Sequence, residues 1–122
     1  MTRDRAIANA FGLRAEMVAT LLLVCKGYWP LARNYKVRGG EIDIIARRGG
    51  TVIFAEVKAR PRLDDAMVAI SATKRQRIER AARVWLSSNP WAAHCVLRGD
   101  GVFVAPRAWP RHVEDAFRLN LM

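Results

Sequence analysis

The chain has 122 residues, 52% hydrophobic and 26% charged. That composition excludes a disordered tail and suits one domain, residues 1–122, with a buried core. Lys and Arg number 21 against 11 Asp and Glu, a formal net charge of +10, which favours a polyanionic partner over a merely soluble basic surface because each Lys or Arg contact to phosphate releases counterions.

Residues from about Ala6 to Lys26 read as one amphipathic helix, with Leu13, Met17, Leu21 and Val24 on one face and Gly27 as the stop. Glu16 lies at the margin of that face, where a solvated flank is the ordinary explanation. The apolar run Met17 to Cys25 falls well short of the ~20 residues of a membrane helix. Glu16 and Lys26 bracket it without a small-residue cleavage site, so it is no signal peptide either. The expectation is a cytoplasmic protein with no membrane partner.

From Tyr28 to Arg60 the pattern changes to strands and tight turns. Tyr28 to Val37 reads as a first strand, with Pro30 placing its start near an edge. Arg38-Gly39-Gly40 turns the chain into Glu41 to Ala46, and Arg47-Arg48-Gly49-Gly50 leads into Thr51 to Ala59. Asp64 to Leu86 reads as helical, with Ser71 or Thr73 able to cap a second helix within it. Ile78, Ala81, Ala82 and Trp85 form its apolar face, and Lys74, Arg75, Arg77, Arg80 and Arg83 its basic one. A strand is predicted from Cys95 to Ala105 and a short helix from Val113 to Leu119. This order points to an α/β sandwich with a mixed sheet. Cys25 and Cys95 lie far apart without a CxxC pattern; a reduced, buried role is expected over a disulfide. His94 and Cys95, as strand neighbours, would point to opposite faces and make no zinc site.

The chemistry concentrates in the central hairpin. Strand alternation puts Glu41, Asp43 and Ile45 on one face, with Ile42 and Ile44 on the other. In the next strand Val52, Phe54, Glu56 and Lys58 share a face, and Ile53, Ala55 and Val57 the opposite one. This strand is apolar on both sides, hence central. A Gly49-Gly50 turn sets Arg48 against Thr51, Asp43 against Glu56 and Glu41 against Lys58. Two carboxylates then stand opposite each other, an arrangement that destabilises a sheet unless a cation intervenes. The ordinary alternative is a salt-bridged strand end. A hard divalent ion, Mg2+ or Mn2+, suits an all-oxygen set of Asp43, Glu56, a backbone carbonyl and waters. Such an ion polarises a phosphate oxygen and activates water, while Lys58 stabilises the developing charge.

These residues resemble a known family. Asp43 followed by Glu56-Val57-Lys58 matches the D…(D/E)xK core of the restriction-endonuclease-like PD-(D/E)xK nucleases. A closer resemblance is to the YraN family of small bacterial proteins, which are similar to archaeal Holliday junction resolvases. It runs through Gly12, Ala15-Glu16, Gly27-Tyr28, Arg33-Asn34-Tyr35, Gly40-Glu41-Ile42-Asp43-Ile44-Ile45, Phe54-Ala55-Glu56-Val57-Lys58-Ala59-Arg60 and Lys74. The resemblance implies a restriction-endonuclease-like sandwich, a central mixed sheet in an αβββαβ core flanked by helices. It further implies that Asp43 and Glu56 bind the metal, that Lys58 is the catalytic lysine, and that Glu16 joins the site from the first helix. Glu41 belongs to the signature and would pair with Lys58 or a basic neighbour, and Gln76 would border the site. The family's Arg-Phe-Asp run on the late strand is here Arg98-Gly99-Asp100-Gly101, which is expected to remove an aromatic plug and loosen the strand. The loop from Arg60 to Ala66 lacks an expected glycine.

The function so implied is a metal-dependent endonuclease acting on DNA, branched DNA included. Lys36, Arg38, Arg60, Lys74, Arg75 and Arg77 would contact phosphates. Junction resolution needs two symmetric cuts and so extrapolates to a homodimer. The alternatives are a non-catalytic nucleic-acid-binding module and an accessory protein docking through its basic face with Trp109, Phe117 and Leu119.

Overall fold

Three consecutive strands, β1 (Trp29–Val37), β2 (Gly40–Arg48) and β3 (Thr51–Ala59), form an antiparallel meander in a computed structural model that describes residues 2–62 and 70–121, with the side chains of the first helix from Arg14 onward. The β3 boundaries match the sequence expectation, and Arg48 pairs with Thr51 across the Gly49-Gly50 turn as expected. A helix, α2 (Ala72–Ser88), and a 3-10 turn (Pro90–His94) carry the chain back, so that β4 (Val96–Val104) lies parallel to β3. Then β5 (Arg111–Phe117) closes the sheet antiparallel to β4, in the order β1-β2-β3-β4-β5. The mixed sheet, with β3 central and β1 at an edge, is as the pattern implied.

Among the described residues, each face of the sheet carries one helix. The long helix α1 (Thr2–Cys25) packs with Ile44, Ala46, Ile53, Ala55, Val102 and Val104, whereas α2 packs with Ile42, Ile45, Val52 and Phe54. Ile78, Ala81, Ala82 and Trp85 are buried, so the face expected of α2 is the one it uses. Ser71 is the cap: its hydroxyl accepts the Lys74 backbone N–H at 3.1 Å. The predicted helical stretch before it lies mostly outside the described residues.

Gly40 lets α2 come this close. A Cβ there would sit 2.5 Å from the Arg77 carbonyl oxygen and 2.9 Å from the Ala81 nitrogen. The glycine of the hairpin motif thus brings the first turns of α2, with Lys74 and Arg77, against the start of β2.

Several expectations are corrected. The face of α1 that packs is Ala15, Ala19 and Leu23, flanked by Val18 and Leu22, while Met17, Leu21 and Val24 are 60%, 62% and 44% exposed; the side chain of Leu13 lies outside the described residues. Small residues at i, i+4 spacing bring the helix closer to the sheet than the larger stripe would. Ile42 and Ile44 enter opposite cores, so alternation breaks at Asp43, alongside Asn34 of β1 with its positive φ of 52°. The predicted C-terminal helix is strand β5, because β4 is buried along most of its length and needs a partner on its second edge. Phe117 is therefore core, not docking surface. Cys25 is exposed rather than buried, and both cysteines are free. His94 ends the 3-10 turn instead of lying on a strand.

The glycines of β4 do not loosen it. A Cβ on Gly99 would meet the Phe117 ring at 2.6 Å, and one on Gly101 the Phe103 ring at 2.8 Å. Aromatic rings from β5 and β4 occupy the space that these glycines leave.

Candidate metal centre and nucleic-acid interface

The β2–β3 ladder ends at Ile44 and Ala55. Beyond it the expected backbone rungs Asp43–Glu56 and Glu41–Lys58 are not among the pairs, yet the side chains of the first still meet. Asp43 Oδ2 accepts the backbone N–H of Val57 at 2.8 Å, replacing a ladder bond by a carboxylate one. Its carboxyl lies within proton-sharing reach of Glu56, and burial pushes the affinity of both for protons upward. For Glu56 the cause is burial first and the Asp43 charge second, and together they raise its pKa to about 8. With both carboxyls ionised, Glu56 Oε2 is buried and has no donor. A buried anion of this kind is costly without a counter-charge.

Glu16 comes to the same place from α1. It lines a pocket of about 100 Å³ together with Asp43, Val57 and Ala59, and its Oε1 is also buried without a partner. The solvated-flank explanation of Glu16 is therefore not the one the structure bears out. Among the described residues no three acidic, His or Cys side chains converge closely enough to ligate one ion, which leaves Asp43 and Glu56 as a pair with Glu16 across the pocket. A pocket of this size, lined by Glu16 with its unpartnered oxygen and by Asp43, with Glu56 next to Asp43, suits a small hard cation and its waters.

On the other side of Glu56 an open cleft of about 370 Å³ is lined by Glu56, Lys58, Arg60, Ser71 and Lys74. Lys74 reaches back across it, 3.0 Å from Glu41 Oε1 and 3.4 Å from Glu56 Oε1. The hydrogen bond from Lys74 holds the Glu41 carboxyl below its ordinary value, with Arg77 and Lys36 adding to the effect. Glu41 thus pairs with Lys74. Lys74 is the basic neighbour of Glu41, brought there by the approach of α2 over Gly40, which no local sequence pattern signals.

Of the basic residues singled out, Lys58 and Arg60 border the cleft, and Lys36 opposes Glu41 across β1–β2. Arg38, Lys36 and Arg77 are exposed, and Lys74 and Arg75 half-buried. Gln76 lies on a different surface, with Arg75, Glu79 and Arg118.

A second polar cluster went unread in the sequence. Asp100, fully buried in β4, accepts from Arg98 Nε at 2.7 Å and from the Asp115 backbone N–H at 3.0 Å, and pairs with His112 Nε2 at 2.7 Å. Burial alone would raise its pKa; the bonds from Arg98, His112 and the Asp115 backbone outweigh that and hold it down at about 2. Arg98 also donates to the Tyr28 hydroxyl at 2.7 Å. The cluster ties β4, β5 and the segment after α1 together.

The sheet, the two described helices and the paired carboxylates at the end of the central strand define an α/β sandwich with an acidic site beside a basic cleft. Residues 15–104 match the model of "Uncharacterised protein family UPF0102", and the chain belongs to that family. It is 56% identical over 116 residues to a UPF0102 protein of Methylorubrum extorquens (95% of this chain, 91% of the relative). A UPF0102 protein of Methylobacterium nodulans is likewise 56% identical over 118 residues (97% and 92%), as is one of Methylocella silvestris over 117 (96% and 94%).

Proposed function

We propose that this protein is a metal-dependent endonuclease of the restriction-endonuclease-like class, related to junction resolvases, that hydrolyses phosphodiester bonds in DNA, branched DNA included. The observation that carries this reading is the pairing of Asp43 with Glu56 at the end of a central strand, with orphaned oxygens on Glu56 and Glu16. Asp43 and Glu56 would hold Mg2+ or Mn2+, with Glu16 on the opposite wall of the pocket. When bound, the ion supplies Lewis-acid polarisation of a phosphate oxygen and a more acidic water. Lys58, on the cleft wall beside Glu56, stabilises charge developing on the phosphate. Arg60, Arg77, Lys36 and Arg38 would hold the flanking phosphates, where they fix register without reading sequence; Arg75, on the surface of Gln76, is not one of them. A two-strand cut at a junction calls for a homodimer with two such sites.

The experiment is cleavage of labelled single-stranded, duplex, flap and four-way-junction DNA with Mg2+ or Mn2+, beside folded Glu56→Ala protein. Cleavage by the parent alone supports the reading; none with any substrate or metal overturns it.

One observation favours a second reading, a nucleic-acid-binding module that cleaves nothing. The Lys74 ammonium already bridges Glu41 and Glu56, so a built-in cation can stand where a metal would. That reading expects salt-dependent DNA binding that EDTA leaves unchanged.

A further inference from the structure

Trp109 is 91% exposed, the largest exposure among the large hydrophobic side chains described. It stands in the turn between β4 and β5, bracketed by Pro106 and Pro110 and by Arg107 and Arg111. Prolines stiffen the turn, and Arg107 holds a positive φ of 61° within it. The indole adds nothing to the core where it stands and is open to a ligand on the surface.

The topology puts this turn beside the candidate site. Strands β3 and β4 run parallel with Lys58 opposite Phe103 and Ala59 opposite Val104, and the Arg60 N–H donates to the Val104 carbonyl at 3.1 Å. Both strands therefore leave the sheet at the same end. Lys58 and Arg60 follow Glu56 there, and the Trp109 turn follows Val104. Arg107 and Arg111 flank the indole in sequence, Arg60 leaves the neighbouring strand at the same end, and all three are exposed. An aromatic face with arginines close to it in the chain suits a ligand that is anionic along its backbone and flat in its side groups.

We propose that Trp109 stacks on an unpaired base of the nucleic acid bound in the cleft, holding a gap or branch point at the Glu56 end of the sheet. This rests on the nucleic-acid reading given above and names its substrate class: DNA with at least one base free of its duplex stack. In a continuous duplex both faces of every internal base are already covered, and the indole has nothing to stack on. At a gap or junction one face is open, and stacking there contributes about 1–3 kcal/mol per base.

The test is fluorescence anisotropy with labelled continuous duplex and with the same duplex carrying a short single-stranded gap, in EDTA so that cleavage plays no part. Trp109→Ala should weaken binding of the gapped DNA about 10-fold, leaving duplex binding within about twofold, and Trp109→Phe should restore most of the loss. The indole touches no core, so the variants stay folded. Equal effects on both DNAs, or none on either, overturn the proposal while leaving the endonuclease reading intact. If the parent protein binds neither DNA, the stacking proposal falls, and the endonuclease reading is decided by the cleavage test alone. Anionic phosphatidylserine vesicles form a further arm: Trp109-dependent vesicle binding with DNA binding unchanged would assign the turn to a lipid surface and overturn the stacking role.

Discussion

The carboxylate of Asp43 accepts the backbone N–H of Val57 at 2.8 Å, so one residue both ends the β2–β3 ladder and presents a charge to Glu56. The two roles separate by substitution. Asp43→Asn keeps a side-chain oxygen for Val57 and removes the charge beside Glu56; it should hold or raise the urea midpoint near neutral pH. Asp43→Ala leaves the Val57 N–H without its partner and should cost about 1–3 kcal/mol. Under the proposed function both lose cleavage by about 100-fold or more. Cleavage by Asp43→Asn at the parental rate would remove Asp43 from the site.

Glu56 makes stability depend on pH in an unusual direction. Its carboxyl is raised from 4.5 to about 8, so between those values the folded chain holds a proton that the unfolded chain has released. The folded state binds more protons there, and stability must fall as pH rises through the window. The slope is at most about 1.4 kcal/mol per pH unit for one such group. Thermal midpoints from pH 5 to 9 should decline in the parent and flatten in Glu56→Gln. A divalent ion displaces the shared proton, so Mg2+ should raise the midpoint more at pH 8 than at pH 6. A parental profile as flat as that of Glu56→Gln would contradict this account.

Much of the site was legible because it is local. The Gly-Gly turn sets the register in which Arg48 pairs with Thr51, and that register brings Asp43 and Glu56 together. The apolar run from Val52 to Ala55, on both faces of the strand, marks β3 as central. What escaped notice depends on contacts distant in sequence. The phase break at Asp43 accompanies the positive φ of Asn34 on another strand. The packing face of α1 is chosen by how closely Ala15 and Ala19 let it approach, and a stripe of Met17, Leu21 and Val24 carries no sign of being the outer one. β5 has apolar spacing that suits a helix, but the unpaired edge of β4 decides otherwise. Asp100 and His112 become partners only when those two strands pair.

Lys74 and Lys58 can be told apart. Lys74 bridges Glu41 and Glu56, half-exposed at 30%, so its pairing contributes little beyond about 1 kcal/mol. Its removal should instead appear in ion affinity. Lys74→Ala takes a positive charge away from the carboxylates, so Mg2+ or Mn2+ should bind several-fold more tightly by calorimetry. Lys58→Ala should leave ion affinity within about threefold and reduce cleavage about 100-fold. The reverse pattern, with cleavage lost only in Lys74→Ala, would transfer the catalytic lysine from β3 to α2.

Gly99 and Phe117 form a close packing relation between β4 and β5. A Cβ on Gly99 would lie 2.6 Å from the Phe117 ring and 2.7 Å from its carbonyl oxygen. The clash with backbone cannot be relieved by turning a side chain, so Gly99→Ala should cost about 1–3 kcal/mol or more. Phe117→Ala empties the same space and should cost about 3–5 kcal/mol. Removing the Phe117 ring relieves the side-chain part of that clash and leaves the carbonyl part. Gly99→Phe combined with Phe117→Ala should then be less destabilised than the two single changes added, by about 0.5–3 kcal/mol. Urea denaturation of the four proteins closes the cycle. Strict additivity would mean that the two positions do not share one site, and that β5 holds β4 by backbone pairing and the Asp100 cluster alone.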